Sequence, residues 1–272
     1  MPREWRRPLA EFDPAAFHRA LLTVDVGRFM VFREVIDSTM VVARRELDEG
    51  APHGTLVMAE EQTAGRGRKG RTFQSPRGEN LYFTLLLRSP LDTHRRLPVL
   101  VPLAVCRAVT GLGVQAAIKW PNDLWAGGRK LCGMLIDAEL AQGQGFAMVG
   151  IGVNVNGDPT IIPELADIAT SVRRELGRDV SREALLAAIC NELEVALQLA
   201  PAEAIARYRA ASLVLGREVV VTPLSGLPFV ARAESIAQDG SLVVLDSTGQ
   251  RRSLNAAEVT LRPASEAGSR PA

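Results

Sequence analysis

Residues 65–71 read Gly-Arg-Gly-Arg-Lys-Gly-Arg, four cations and three glycines in seven positions. Glycine lets a backbone approach an anion closely. Arginine presents a fork of donors to phosphate or carboxylate. Such a loop can wrap a nucleotide or an acyl phosphate and become ordered as the ligand arrives. The same residues could form a solvated basic loop or an Arg-Gly nucleic-acid contact. Their position favours a site, because they follow an apolar, strand-like run and lie outside any low-complexity tail.

A second group is Lys119-Trp120-Pro121-Asn122-Asp123. A short strand stops at the proline and at once presents an amide and a carboxylate. Asp123 could offer oxygen to Mg²⁺ and Lys119 could neutralise phosphate. Alternatively, Asn122 and Asp123 close a turn by side-chain hydrogen bonds. In Arg129-Lys130-Leu131-Cys132-Gly133 a cation enters an apolar strand, so Lys130 either points at a ligand or is a surface lysine beside a hairpin. Gly150 and Gly152, followed by Asn154, suggest close approach by a ligand or another backbone. The third glycine of a dinucleotide fingerprint is missing. Ser38-Thr39 could simply cap a helix, and Gln62 could be solvated. The three histidines, His18, His53 and His94, are scattered, so the chemistry is not expected to need a histidine base.

Elements must bring these groups together. Residues 28–35 and 55–61 are Val- and Met-containing strand candidates, with a helix started by Asp37, Ser38 and Thr39 and running to about Leu47 between them. The stretch Thr63–Glu79 lacks apolar periodicity, as functional or disordered loops do. Residues 80–88 alternate as a strand, 97–112 read as a buried helix, and 115–120 as a short strand. Gly127-Gly128 signals a hairpin, and Gly143 with Gly145 a further turn. Ser181 opens a helix whose Leu185, Leu186, Ile189, Leu193 and Leu197 share one face, and a short helix follows over 202–212. From Gly216 onward short β-like runs separated by Ser225-Gly226 and Asp239-Gly240 suggest a small barrel. The pattern is α+β, with a mixed, largely antiparallel sheet flanked by helices.

Composition narrows the classes. Of 272 residues 47% are hydrophobic and 23% charged, the balance of a globular chain. The net charge of +1 argues against bulk nucleic-acid binding. No run of eighteen apolar residues exists, and residues 1–10 do not read as a signal peptide. Cys106, Cys132 and Cys190 have no metal or redox spacing and read as reduced core thiols, which fits a cytoplasmic location.

Taken in order and spacing, these segments resemble the biotin–protein ligase family. The likeness begins at Ser38-Thr39 and continues through EEQTAGRGRKGRTFQSPRGENLYFTLLLR, IKWPNDLW, RKLCGMLIDAEL and VGIGVNVN. It then passes IATSVRRELG and ends in NAAEVTLRP, covering roughly residues 31–263. The resemblance implies a sheet-and-helix catalytic fold with a small SH3-like C-terminal β-barrel. The expected layout is an N-terminal extension over 1–30, a catalytic domain over 31–213, the small domain over 214–263 and a disordered tail over 264–272. It implies that biotin and ATP, with Mg²⁺, give biotinyl-AMP, and that biotin passes to a lysine of a biotin carboxyl carrier protein.

Site roles also follow from the resemblance. Ser38, Thr39, Met40, Gln62, Arg66, Gly67, Arg68, Lys130 and Gly133 would bind biotin. Arg66, Arg68, Asn122, Asp123, Lys130, Gly150, Gly152 and Asn154 would bind ATP. Arg66, Arg68, Lys119 and Lys130 would act in catalysis, and Asp123 would hold Mg²⁺. The family commonly has asparagine where this chain has Met40. A homodimer is possible along an exposed sheet edge. Neither nucleic acid nor membrane is an expected partner, and no operator-binding role is expected, since residues 1–27 are too few for a winged helix with its linker.

Overall fold

The computed structural model describes residues 11–65, 67, 74–141, 144–255 and 257–261. Seven strands form one mixed sheet: β1 (Met30–Ile36), β2 (Leu56–Gln62), β3 (Leu81–Pro90), β4 (Ala116–Lys119), β5 (Asp123–Ala126), β6 (Arg129–Ala141) and β7 (Gln144–Val153). Their spatial order is β1-β2-β3-β7-β6-β5-β4. β1 and β2 run parallel, joined across the sheet by helix α2 (Thr39–Asp48), because parallel neighbours need a crossover connection. The remaining neighbours pair antiparallel. The mixed, largely antiparallel sheet expected from the turn signals is therefore the one that forms. α2 is numbered second because α1 (Pro14–Ala20) precedes it; α3 (Leu91–Arg95), α4 (Leu97–Thr110), α5 (Val172–Leu176), α6 (Arg182–Leu197) and α7 (Pro201–Ala210) follow.

Strand β3 shows how the sequence specifies two covered faces. Leu81, Phe83, Leu85 and Leu87 belong to the main core, together with Leu100 and Val101 of α4 and Leu186 and Ile189 of α6. The alternate residue Leu86 packs with Ala43 of α2, Val57 and Met148 in a second, smaller cluster. Side chains alternate across a strand, so the first face rests on the α4 and α6 layer and the second faces α2. Each large apolar side chain fully buried here contributes about 1.5–3 kcal/mol. The polar members of the second face, Tyr82 and Thr84, are buried as well.

Residues 11–27 join the same core through Phe12, Phe17, Leu21 and Val26. Glu194 of α6 accepts hydrogen bonds from the backbone N–H groups of Val24, Asp25 and Val26. At the opposite end of α6 Arg182 forms a bidentate ion pair with Glu60 of 2.7 and 3.0 Å, both side chains almost wholly buried. Glu60 also accepts from the Phe12 N–H at 2.7 Å.

The C-terminal strands are β8 (Glu218–Pro223), β9 (Phe229–Ile236), β10 (Leu242–Asp246), β11 (Arg251–Leu254) and β12 (Ala257–Leu261). They form an antiparallel sheet in the order β11-β10-β9-β8-β12, consistent with an SH3-like domain. The expected barrel is not closed among the described residues, since no pairing joins β11 to β12. The Trp120 indole N–H donates to the Gly240 carbonyl at 2.8 Å, and Arg209 of α7 donates to the Ile236 carbonyl. Among the described residues no helix is long and apolar enough to cross a membrane.

Two turn readings need correction. Gly145 lies inside β7, which begins at Gln144, and not in a turn, while Gly143 lies outside the described residues. A Cβ on Gly145 would meet the His94 ring at 2.2 Å, so the glycine is there for the close approach of that imidazole. Asp123, offered as a turn residue, opens β5 instead and pairs with Gly133.

Candidate active site

The α2 end of the site is a hydrogen-bonded polar group. Ser38 is the N-cap of α2, and its hydroxyl accepts from the Met40 N–H at 3.3 Å, which is why the helix starts there. Thr39 donates to the Gln62 carbonyl oxygen twice, from its N–H at 2.9 Å and from its hydroxyl at 3.1 Å. The Gln62 amide in turn donates to Ser75 at 3.0 Å. Beneath them Thr84 of β3 donates its hydroxyl to Thr39 at 2.9 Å. Crossover β1-α2-β2 thus sets a helix start against a strand end.

Glycines make the floor between this group and a charged end. Directly paired residues of neighbouring antiparallel strands share a face. One row runs Thr84, Gly150, Leu135 across β3, β7 and β6. The next row runs Tyr82, Gly152, Gly133, Asp123 across β3, β7, β6 and β5. Three glycines in two adjacent rows place no side chain of their own on this strip of the sheet face, and this bare strip is the trough of the site. Three strand spacings carry it about 14 Å from β3 to β5.

Lys130 and Asp123 close the far end, 2.7 Å apart. The Lys119 ammonium lies 4.0 Å from the Trp125 ring centroid, a cation–π contact across the adjoining β4–β5 hairpin. Asn122 turns its amide to the Met134 carbonyl, and the Met134 N–H returns a 2.9 Å bond to the Asn122 carbonyl. Asn154 donates to the Thr170 carbonyl at 2.9 Å. Residues 168–170 bond the backbone of Lys130 on both sides, tying Lys130 and Asn154 to one segment.

Several chemistries are poorly supported by these neighbours. Cys132 is fully buried, and burial pushes its thiol far up, so it is no thiolate nucleophile. Burial also pushes the Tyr82 phenol up, and its hydroxyl donates to the Pro76 carbonyl at 3.1 Å. His18 lies on α1, His53 ahead of β2 and His94 on α3, outside the groups just described. One Asp123 oxygen is held by Lys130, and no three His, Cys, Asp or Glu among the described residues could share an ion, so a Mg²⁺ at Asp123 would take most of its ligands from phosphate and water.

Of the site residues expected from the sequence, Ser38, Thr39 and Gln62 come together at one end, and Lys119, Asp123 and Lys130 lie on the three successive strands β4, β5 and β6 at the other. Gly133, Gly150 and Gly152 form the floor. Met40 lies over Gly150, with its sulfur 2.8 Å from where a Cβ of that glycine would stand. Gly67 is half-buried. Arg66 and Arg68 lie outside the described residues. Thr84, Ser75, Trp125 and Thr170 were not anticipated. Thr84 had a signal: it is the polar residue on the second face of an otherwise apolar, alternating strand.

The profile of the Biotin/lipoate A/B protein ligase family matches residues 32–156. The chain is 33% identical to the biotin–[acetyl-CoA-carboxylase] ligase of Mycobacterium tuberculosis over 217 residues, 76% of this chain and 78% of that one. It is 36% identical to the bifunctional ligase/repressor BirA of Bacillus subtilis over 171 residues, 61% of this chain. The chain spans about half of that relative's length, 53%. Among solved structures it resembles the biotin protein ligase of Aquifex aeolicus in complex with biotin and ATP, with a TM-score of 0.72 and 27% identity, covering 86% of this chain and 99% of that one. It also resembles the Leishmania major enzyme in complex with biotinyl-5-AMP, with a TM-score of 0.60 and 27% identity, covering 84% of this chain and 99% of that one. On the match to the mycobacterial ligase, this chain belongs to the biotin/lipoate protein ligase family, among its biotin–protein ligases.

Proposed function

We propose that the chain joins biotin to a lysine of a biotin carboxyl carrier protein in two steps driven by ATP. The supporting observation is the glycine-floored trough, with the Thr39–Gln62–Thr84 group at one end and Lys130 at the other. A cyclic urea needs both donors and acceptors, which Thr39, Gln62 and Ser38 supply. An acyl chain needs an apolar lining, and its carboxylate a cation, which Lys130 supplies. The complexes of the Aquifex and Leishmania enzymes, with biotin and ATP and with biotinyl-5-AMP, favour the same pair of ligands here.

In the first step a carboxylate oxygen of biotin attacks the α-phosphorus of ATP. The bond from that phosphorus to the bridging oxygen breaks, and pyrophosphate leaves. Two anions must meet, so Lys130, Lys119, Arg66 and Arg68 would offset the repulsion and stabilise charge developing in the transition state. Mg²⁺ would arrive on the triphosphate and neutralise part of its charge. In the second step the carrier's lysine amine attacks the acyl carbon, the bond to the phosphate oxygen breaks, AMP leaves and the amine loses a proton. The glycines and cations of residues 65–71 would help keep water from the mixed anhydride between steps. Asn154 and Gly152 would border the nucleotide. Buried, protonated thiols suit a reducing, cytoplasmic setting.

The test is to incubate the protein with ATP, Mg²⁺, biotin and a carrier domain, then weigh the carrier. One added biotinyl group, absent without ATP or when the acceptor lysine is replaced, supports the proposal. A gain with lipoate and none with biotin would move the chain to the lipoate side of the family.

A further inference from the structure

Met40 occupies a place that the proposed reaction leaves unexplained. It is the second residue of α2, directly after Thr39. Its Sδ would be 2.8 Å and its Cγ 3.3 Å from a Cβ built on Gly150, so the thioether rests on the bare backbone of β7. Gly150 stands in the same row as Thr84 and Leu135, which is the row under the Thr39–Gln62 group. Beyond that row, away from Gly152 and Asp123, the pairs are Leu86 with Met148 and Met148 with Asp137.

There the space opens again. A cavity of about 500 Å³ lies between α2 and the sheet, bordered by Met40, Val41, Arg44, Leu135, Asp137 and Met148. Its rim is held by Arg44, which pairs with Glu139 and lies 3.8 Å from Asp137. A volume of that size would take a small organic group. Met40 therefore stands between two spaces: the polar end of the trough and a cavity farther along the same strands, lined by apolar side chains with Arg44, Arg45 and Asp137 among them. An unbranched thioether over a glycine is a flexible partition.

Resting on the proposed biotin site, we infer that Met40 is the end wall of the trough and sets how large a ring system the enzyme accepts. A bicyclic ring seated at Thr39 and Gln62 reaches Met40 and stops. Trimming Met40 joins the trough to the cavity and admits ligands enlarged on the ring. One methylene more or less in a hydrophobic pocket is worth roughly 10- to 200-fold in discrimination, so the effect is large enough to measure.

The experiment uses the intact chain and follows pyrophosphate release with biotin, with biotin sulfone and with a biotin methylated on a ureido nitrogen. In M40A the analogue-to-biotin ratio of kcat/KM should rise at least about tenfold for one of the two. In M40L, which keeps the bulk, the ratio should stay within about threefold of the parent protein's. G150A supplies an independent arm, because its new methyl displaces the Met40 sulfur. Its effect on the ratio should shrink in the M40A background, the non-additivity of touching residues. An M40A ratio within about twofold of the parent's for both analogues, or additive G150A and M40A effects, overturns the end wall. Biotin turnover by the parent protein is read in the same assay. Its absence would sink the ligase reading itself, whereas turnover with unaltered selectivity sinks only the role of Met40.

Discussion

The Lys130 ammonium sits 2.7 Å from Asp123 Oδ1, bridging the β5–β6 hairpin at the end of the glycine trough. Neither side chain is fully covered, with 38% of Lys130 and 21% of Asp123 exposed. An anionic ligand can therefore reach the cation and exchange with the carboxylate. The pair holds the lysine in place before the ligand arrives, and preorganised charge is what stabilises a transition state efficiently. Lys130→Ala should lower kcat/KM for adenylate formation by about 10²- to 10³-fold, read by isotopic exchange between pyrophosphate and ATP. Asp123→Asn should cost less, because the cation remains and loses only its orienting partner. Near-normal exchange in Lys130→Ala would remove Lys130 from the chemistry.

Thr84 offers a sharper test of the polar end, since nothing suggests that it touches ligand. Its hydroxyl is fully buried and donates to Thr39 at 2.9 Å, while Thr39 donates onward to Gln62. Thr84→Val keeps the shape and deletes the donor. The fold should lose about 1 kcal/mol, the net worth of one such bond. The KM for biotin should rise up to about tenfold, the factor that 1.4 kcal/mol represents, with kcat little altered. An unchanged KM would mean that Thr39 does not depend on the strand beneath it.

Much of this site was legible because its signals are local. Ser38 caps α2 through its own hydroxyl, and Gly127 and Gly128 both take the positive φ of a hairpin turn. Gly150 and Gly152 stood out as glycines inside an apolar strand. Their partners did not, because pairing is set by register across distant segments. Nothing near Gly133 in the chain announces Gly152, and nothing near Thr39 announces Thr84. Residues 11–27 read as an extension for the same reason: the acceptors of their backbone, Glu60 and Glu194, lie at positions no local pattern connects to them. The short helix α5 (Val172–Leu176) was missed as an element because five residues carry too little periodicity to detect.

The Glu60–Arg182 pair predicts where the fold is most vulnerable. Both side chains are nearly inaccessible, 2% and 4% exposed, and the pair also holds the Phe12 N–H and the Asn80 carbonyl. Removing one partner strands a buried charge. Arg182→Leu should destabilise the fold by about 3–5 kcal/mol. Replacing both residues with leucine should cost less than either single change. Urea unfolding read by linear extrapolation measures all three. A single-variant loss below about 1 kcal/mol would show that the pair is solvated, unlike its surroundings here.

Stability should also fall on mild acidification, and the sign follows from His53. Burial holds its imidazole below the ordinary histidine value, only partly opposed by the charges of Asp25 and Glu194. Its Nδ1 accepts the Arg88 N–H at 3.0 Å, a bond the neutral ring makes and a ring protonated at that nitrogen does not. His94, packed on Gly145, is likewise lowered by burial. Between the lowered folded value and about 6.5 the unfolded chain binds more protons than the folded one. The contribution is thus complete above about pH 6.5 and is lost as pH falls through the folded value. Asp246, held down at about 2 chiefly by its hydrogen bond from Thr248, contributes to a decline only at far lower pH. The melting temperature of the parent protein should therefore drop from about pH 7.5 to about pH 5.5, a window centred on histidine titration. The His53→Asn variant keeps an acceptor for Arg88 without a titrating ring, and its drop should be smaller. Adding His94→Gln should flatten the profile further. A parent melting temperature that holds steady across the window, or equal slopes in all three proteins, would show that neither imidazole is kept neutral by the fold.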